Sequence, residues 1–201
     1  MKQVAWTLSF IFHPLLLPSA AFGILFYAHP QLFGAYSETE IRQMFLIVII
    51  NTILFPAVSV LLMWGVKVIQ SPFADTRQER ILPFIVTGLF YVWAFVVFRR
   101  SGFPSILSTI LLGACITLFV TFFVNLFRKV SIHAGAISAM IVIVLYASFQ
   151  FNPQLTWLLL ITVLIAGVVG SSRMLLNAHD TTEIFAGYFI GFVGQLIAFK
   201  F

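Results

Sequence analysis

Apolar residues run along this chain in long, nearly unbroken stretches. They cover about 4–28, 41–66, 81–98, 103–127, 134–149, 154–170 and 184–199. The runs lack the two-residue alternation of a membrane barrel, and an open sheet cannot span a bilayer, so each predicts a helix. Seven spans is the best count. The pattern therefore predicts an all-α, polytopic transmembrane helix bundle of six to seven spans, forming one integral membrane domain over 1–201.

Breakers punctuate the runs where connections are needed. Asn152-Pro153 predicts a tight turn between spans five and six, and Arg99-Arg100-Ser101-Gly102 another between three and four. His13-Pro14 and Pro18 predict a kink in the first helix. The N-terminal run has the outline of a signal peptide, with Lys2 ahead of it and Ser19-Ala20-Ala21 within it. It continues to about Tyr27, long enough to span, and reads as a retained first helix. Gly187 and Gly191 form a GxxxG pair on the last span, a spacing that lets helices approach closely.

Composition agrees with a lipid solvent. The chain is 61% hydrophobic and 8% charged, far from the roughly 25% charge of a soluble domain. Its net charge of +5 rests on few residues and does not imply nucleic-acid binding. Cys115 is the single cysteine, lies in an apolar run and reads as a small hydrophobe.

Alternating the spans brings the polar residues together. The loops at 67–80, 128–133 and 171–183 fall on the side of the N-terminus. They carry Asp75, Arg77, Glu79, Arg80, Arg128, Lys129, Ser131, His133, Arg173, His179, Asp180 and Glu183. The opposite side has no comparable gathering. His179 and Glu183 are four apart, which stacks them on one helical face. A carboxylate there can hold imidazole Nδ1–H and leave Nε2 free as base or nucleophile. Arg173 offers a planar fork suited to phosphate. Ser131 and His133 begin a span, where a helix N-terminus favours anions; the plainer reading makes Ser131 an N-cap and Arg128-Lys129 an interfacial anchor. Arg77 and Arg80 open the third span. The cations beside two histidines predict a phosphate site. Charge held at membrane depth is costly, about 2.5–3.5 kcal/mol per residue on insertion scales, which makes such a cluster functional by default.

These residues resemble a known family. Ser172-Arg173, five residues, His179, three residues, Glu183 is similar to the third signature of the type 2 phosphatidic acid phosphatases, S-R-x5-H-x3-D. Val130-Ser131-Ile132-His133 resembles the second, P-S-G-H. The likeness covers roughly 128–192, with a weaker extension to 75–83. It implies a metal-independent lipid phosphatase, with no cofactor and a lipid phosphate or diphosphate as its partner among membrane lipids. In that scheme His179 attacks phosphorus, Glu183 orients it and His133 protonates the leaving oxygen. Arg173 and Ser131 hold phosphate oxygens. Arg80, Arg77 and Lys129 supply further charge, with Asp180 as a possible relay.

Departures are plain. Glu183 stands where the family has Asp, and Val130 and Ile132 replace its Pro and Gly. The first signature, K-x6-R-P, is not met. Two other readings follow: an inactive relative that binds a phospholipid or supports a membrane complex, and a metal-dependent hydrolase or prenyl transferase. The last would use the pairs Asp75/Glu79 and Asp180/Glu183, or His133, His179 and Asp180. His13 reads as a residue satisfying the kink, with a place on the pocket wall as the alternative.

Orientation is finely balanced. Of the 11 Lys and Arg residues, seven fall on the site side and four on the other, which by itself places the site in the cytoplasm. Setting aside Arg77, Arg80, Lys129 and Arg173 as site residues reverses that order. The family works on the outer face of the cytoplasmic membrane, so the expectation is a bacterial inner-membrane protein with a periplasmic site.

Overall fold

The computed structural model describes residues 1–73, 76–151, 153 and 156–201. Among them lie nine α-helices and no strand. They are α1 (Lys2–Ile11), α2 (Leu17–Ala28), α3 (Glu38–Ile49), α4 (Phe55–Gly65), α5 (Ile81–Arg100), α6 (Ser105–Asn125), α7 (Ile132–Gln150), α8 (Thr156–Leu175) and α9 (Thr181–Ala198). α1 with α2, and α3 with α4, each form one broken span, so seven segments are long and apolar enough to cross a membrane. The protein is an integral membrane protein with an all-α bundle. Large apolar side chains such as Leu89, Trp93, Leu164 and Phe189 point outward, where lipid tails replace water as solvent.

Both broken spans have chemical causes. At the first, Pro14 and Pro18 cannot donate to a helix ladder, and a short 3-10 turn, Pro14–Leu16, joins α1 to α2. His13 Nδ1 accepts the Leu15 amide there, at 3.3 Å. The second breaks at a π-helical stretch, Ile50–Leu54, just ahead of Pro56, which lacks an amide hydrogen. Asn51 Nδ2 donates to the Ile47 carbonyl at 2.8 Å within it.

α7 is the most buried span and packs most broadly on α9. The GxxxG pair explains the fit. A Cβ at Gly187 would collide with the Ser131 carbonyl, and one at Gly191 with the Gly135 carbonyl. The close approach lets the Ser131 amide donate to the Glu183 carbonyl at 3.1 Å, joining the starts of the two helices. At the opposite end, the Tyr36 hydroxyl donates to the Gly102 carbonyl at 2.8 Å. Gly102 turns the chain after α5 with φ +68, a left-handed conformation that glycine adopts without a Cβ clash. Asn152, half of the predicted turn between spans five and six, lies outside the described residues.

Candidate active site

The third polar segment is built by helix-end chemistry. α8 runs further than the sequence pattern predicted, to Leu175, which puts Ser172 and Arg173 in its last turn rather than in a loop. Asn177 then takes a left-handed φ of 52. Its amide donates to Met174 O at 2.9 Å and the Ala178 amide to Arg173 O at 3.0 Å, a Schellman closure. Asparagine tolerates this conformation better than most residues. The chain reverses, and Asp180 caps α9. Its Oδ1 accepts the Glu183 amide at 2.8 Å, while Glu183 Oε2 accepts the Asp180 amide at 3.4 Å.

The same Glu183 oxygen also accepts His179 Nδ1–H, at 2.7 Å. The longer acid therefore reaches the imidazole. This bond fixes the proton on Nδ1 and leaves a lone pair on Nε2 of a ring that lines the cavity described below. Burial, then the charges of Arg80, Arg173 and Lys129, push the His179 pKa down to about 3. The ring is neutral at physiological pH, the state a nitrogen nucleophile needs.

The other two segments close on this dyad. Arg77 Nη1 donates to Phe127 O, and Asn125 Nδ2 donates back to Arg77 O at 3.2 Å. Arg80 Nη1 lies 3.5 Å from Val130 O. Arg128 Nη2 donates to the Thr182 hydroxyl at 2.8 Å. Thus the three loops predicted to share one membrane face are hydrogen-bonded to one another. Glu79 folds the first of them, accepting from the Gln70 amide at 2.8 Å and the Thr76 hydroxyl at 3.1 Å.

A cavity of about 220 Å³ opens between them. Its polar end is formed by His13, Arg80, His133, Arg173 and His179. Ile110, Ala136, Ala139, Met140 and Ile143 line much of the remainder, a largely apolar slot that Thr117 and Gln195 also border. From His133 to Ile143 the slot follows α7 for roughly 15 Å at 1.5 Å per residue. Cationic residues at the mouth and an apolar shaft behind them suit a ligand with an anionic head and a hydrocarbon tail.

Several predicted residues stand off this wall. Ser131 is wholly buried, and its hydroxyl accepts the Ala134 amide at 3.4 Å as the N-cap of α7, the plainer of its two readings. Arg77 and Lys129 are outside the lining; Arg77 braces a loop and Lys129 acts on His179 through its charge. Asp180 is an exposed cap bonded to the Thr182 hydroxyl at 2.7 Å, so the acid that touches His179 is Glu183. Asp75 lies outside the described residues. Among those described, no three His, Cys, Asp or Glu side chains gather in a way that could hold a metal ion.

Histidine 13 does more than satisfy the kink. Its ring stands edge to face with His133, centroids 5.4 Å apart, on the cavity wall. Its Nδ1 accepts a backbone amide, so the neutral ring carries its proton on Nε2. His133 shows the reverse need at its own site: its Nε2 lies 3.2 Å from Ser9 O, and only Nε2–H can donate to a carbonyl. Neutral His133 thus keeps a lone pair on Nδ1. The signal for His13 was the His-Pro step at a depth matching the site. Gln195 was missed; the signal was an amide in an otherwise apolar helix half.

No protein-family model, curated protein or solved structure matches this chain. Its residues carry the functional reading alone.

Proposed function

We propose that the protein is a membrane-embedded lipid phosphatase that removes phosphate from a lipid phosphate or diphosphate through a histidine nucleophile, without a metal. The observation that carries this reading is His179, on the wall of a cavity shared by Arg80, Arg173 and an apolar slot, and bonded at 2.7 Å to Glu183 behind it. The likeness of Ser172-Arg173-x5-His179-x3-Glu183 to the type 2 phosphatidic acid phosphatase signature supports it. So does the neutral state of His179.

In this scheme the phosphoryl group lies between Arg80 and Arg173, whose forked donors hold its oxygens and offset charge in the transition state. Nε2 of His179 attacks phosphorus as the P–O bond to the lipid breaks. Glu183 stabilises the imidazolium that forms as Nδ1–H stays in place. Neutral His13 donates its Nε2–H as a hydrogen bond to the leaving oxygen, which takes its proton from the water that the next step consumes. Water then cleaves the N–P bond and releases inorganic phosphate. Net, one water is consumed and a lipid alcohol, or a monophosphate from a diphosphate, is formed.

A second reading is a lipid-phosphate binder without turnover. Two observations favour it: the Ser131 hydroxyl is engaged as a cap, and Ile132 lines the cavity where the family has glycine. Phosphate release from a panel of lipid phosphates by the purified protein separates the two. Release that persists in EDTA and is lost in His179→Ala supports the phosphatase. Release abolished by EDTA indicates a metal enzyme, and binding without release supports the second reading. We place the protein in a bacterial cytoplasmic membrane with the site facing outward. Cysteines introduced at Ser101 and Asn152 should then react only after the cytoplasmic side is opened to the reagent, against a buried Cys115.

A further inference from the structure

One row of α5 side chains runs down the cavity from its cationic end. Arg80 caps the start of the helix, and Pro83, Phe84, Thr87 and Tyr91 follow it on the cavity wall. Steps of three and four residues keep them on one helical face. Thr87 and Tyr91 lie seven and eleven residues beyond Arg80, roughly 10 and 16 Å along the axis at 1.5 Å per residue. Both are buried, at 7% and 4% exposure. Among the described residues neither hydroxyl has a hydrogen-bond partner. The hydroxyls of Thr109 and Thr162 donate to the carbonyl four residues back, at 3.1 and 2.8 Å, whereas that of Thr87 makes no such bond. The unpartnered Thr117 hydroxyl is shut off by its neighbours; the Thr87 and Tyr91 oxygens are not, and the space they border is the cavity.

A hydroxyl this buried, a tyrosine's above all, usually has a partner. Here the free space beside both oxygens is the lipid slot, so a bound chain is what can supply one. Each hydroxyl has a proton to donate, so the group that satisfies both is an acceptor oxygen. We infer that Thr87 and Tyr91 form a second recognition point, which selects a lipid phosphate whose chain carries an acceptor oxygen (a carbonyl or an ether) two to three helical turns below the phosphate. A pure hydrocarbon chain leaves both hydroxyls unpaired and is bound less well. This rests on the reading of the cationic end as a phosphate site, because that site fixes the depth at which each part of the chain lies.

The test uses long-chain alkyl phosphonates, which cannot be hydrolysed, so that binding is read apart from turnover. Chains of equal length carry one ketone, stepped along the chain, or none, and Kd is measured by titration into the purified full chain. A ketone at the depth of the pair should tighten binding about three- to tenfold over the plain chain. Elsewhere in the slot it should weaken binding, since a desolvated carbonyl without a donor costs affinity. Tyr91→Phe and Thr87→Val remove each oxygen while keeping the side chain's shape, so the fold should survive. The preference should fall in each variant and vanish in the double variant, with the plain chain bound as well as before or better. No preference at any depth, or one that the double variant keeps, would overturn the inference. Ketone chains without a phosphonate provide the control. If they bind as tightly as the phosphonates and keep the same preferred depth, the hydroxyl pair stands and the phosphate reading fails.

Discussion

Glu183 does two jobs with one oxygen. Oε2 closes the cap of α9 and receives His179 Nδ1–H. Because the Asp180 carboxylate already caps from the other side, loss of the charge should not unfold the helix. Glu183→Gln should lower turnover about 10²–10³-fold with little change in thermal stability. Glu183→Asp, although it restores the family's acid, should lower it as well, because the shorter side chain falls short of an imidazole now met at 2.7 Å. Equal activity of the Asp variant would show that the observed reach is not what matters. Electrostatics at this residue are also testable. Arg80 and Arg173 help to hold the imidazole neutral, so Arg80→Gln or Arg173→Gln should raise its pKa. The sign follows from cation loss, since removing a positive neighbour favours the protonated ring. Ring-nitrogen NMR should find His179 neutral across pH 5–8 in the wild type, and a midpoint moved upward in either variant.

Helix ends and helix contacts place these side chains. Asn177 reverses the chain in the left-handed region, so Asn177→Gly should be tolerated. Asn177→Val should cost about 1–3 kcal/mol and reduce activity as well, because His179 sits two residues beyond the turn. Gly191 faces the Gly135 carbonyl without room for a methyl group. Gly191→Ala should therefore destabilise the α7–α9 pair by about 1–3 kcal/mol, read as a lower melting temperature in detergent. Much at this scale was legible in the sequence. The GxxxG spacing announced the close packing, whereas the Asp180-x-x-Glu183 step, read as a relay or an acidic pair, is a capping box. What sequence left open was how far α8 runs: Ser171 to Leu176 is neither strongly apolar nor broken by glycine or proline, so hydropathy ends the helix too early. The π-helical stretch at Ile50–Leu54 has no signal beyond Asn51 and Pro56 inside an apolar run.

Across the whole molecule, alternation of the spans was enough to predict that three loops meet, because each span reverses the side of the next connection. Hydropathy carried that result, since bilayer length constrains it strongly. It could not say which charges face the cavity. Arg77 and Arg80 are three apart at the same helix start, yet one braces the end of α6 and the other lines the cavity. Side-chain direction decides this, and it depends on packing that no spacing encodes. The central claim is that His179 accepts a phosphoryl group. The most direct measurement is rapid quenching of the protein with a lipid phosphate at neutral to alkaline pH, followed by mass spectrometry of the peptide that contains His179. The account predicts a phosphoryl adduct on that residue that is acid-labile, stable to base and absent in His179→Ala. Lipid phosphate turned over with no adduct on His179, or with the adduct on another residue, would contradict it.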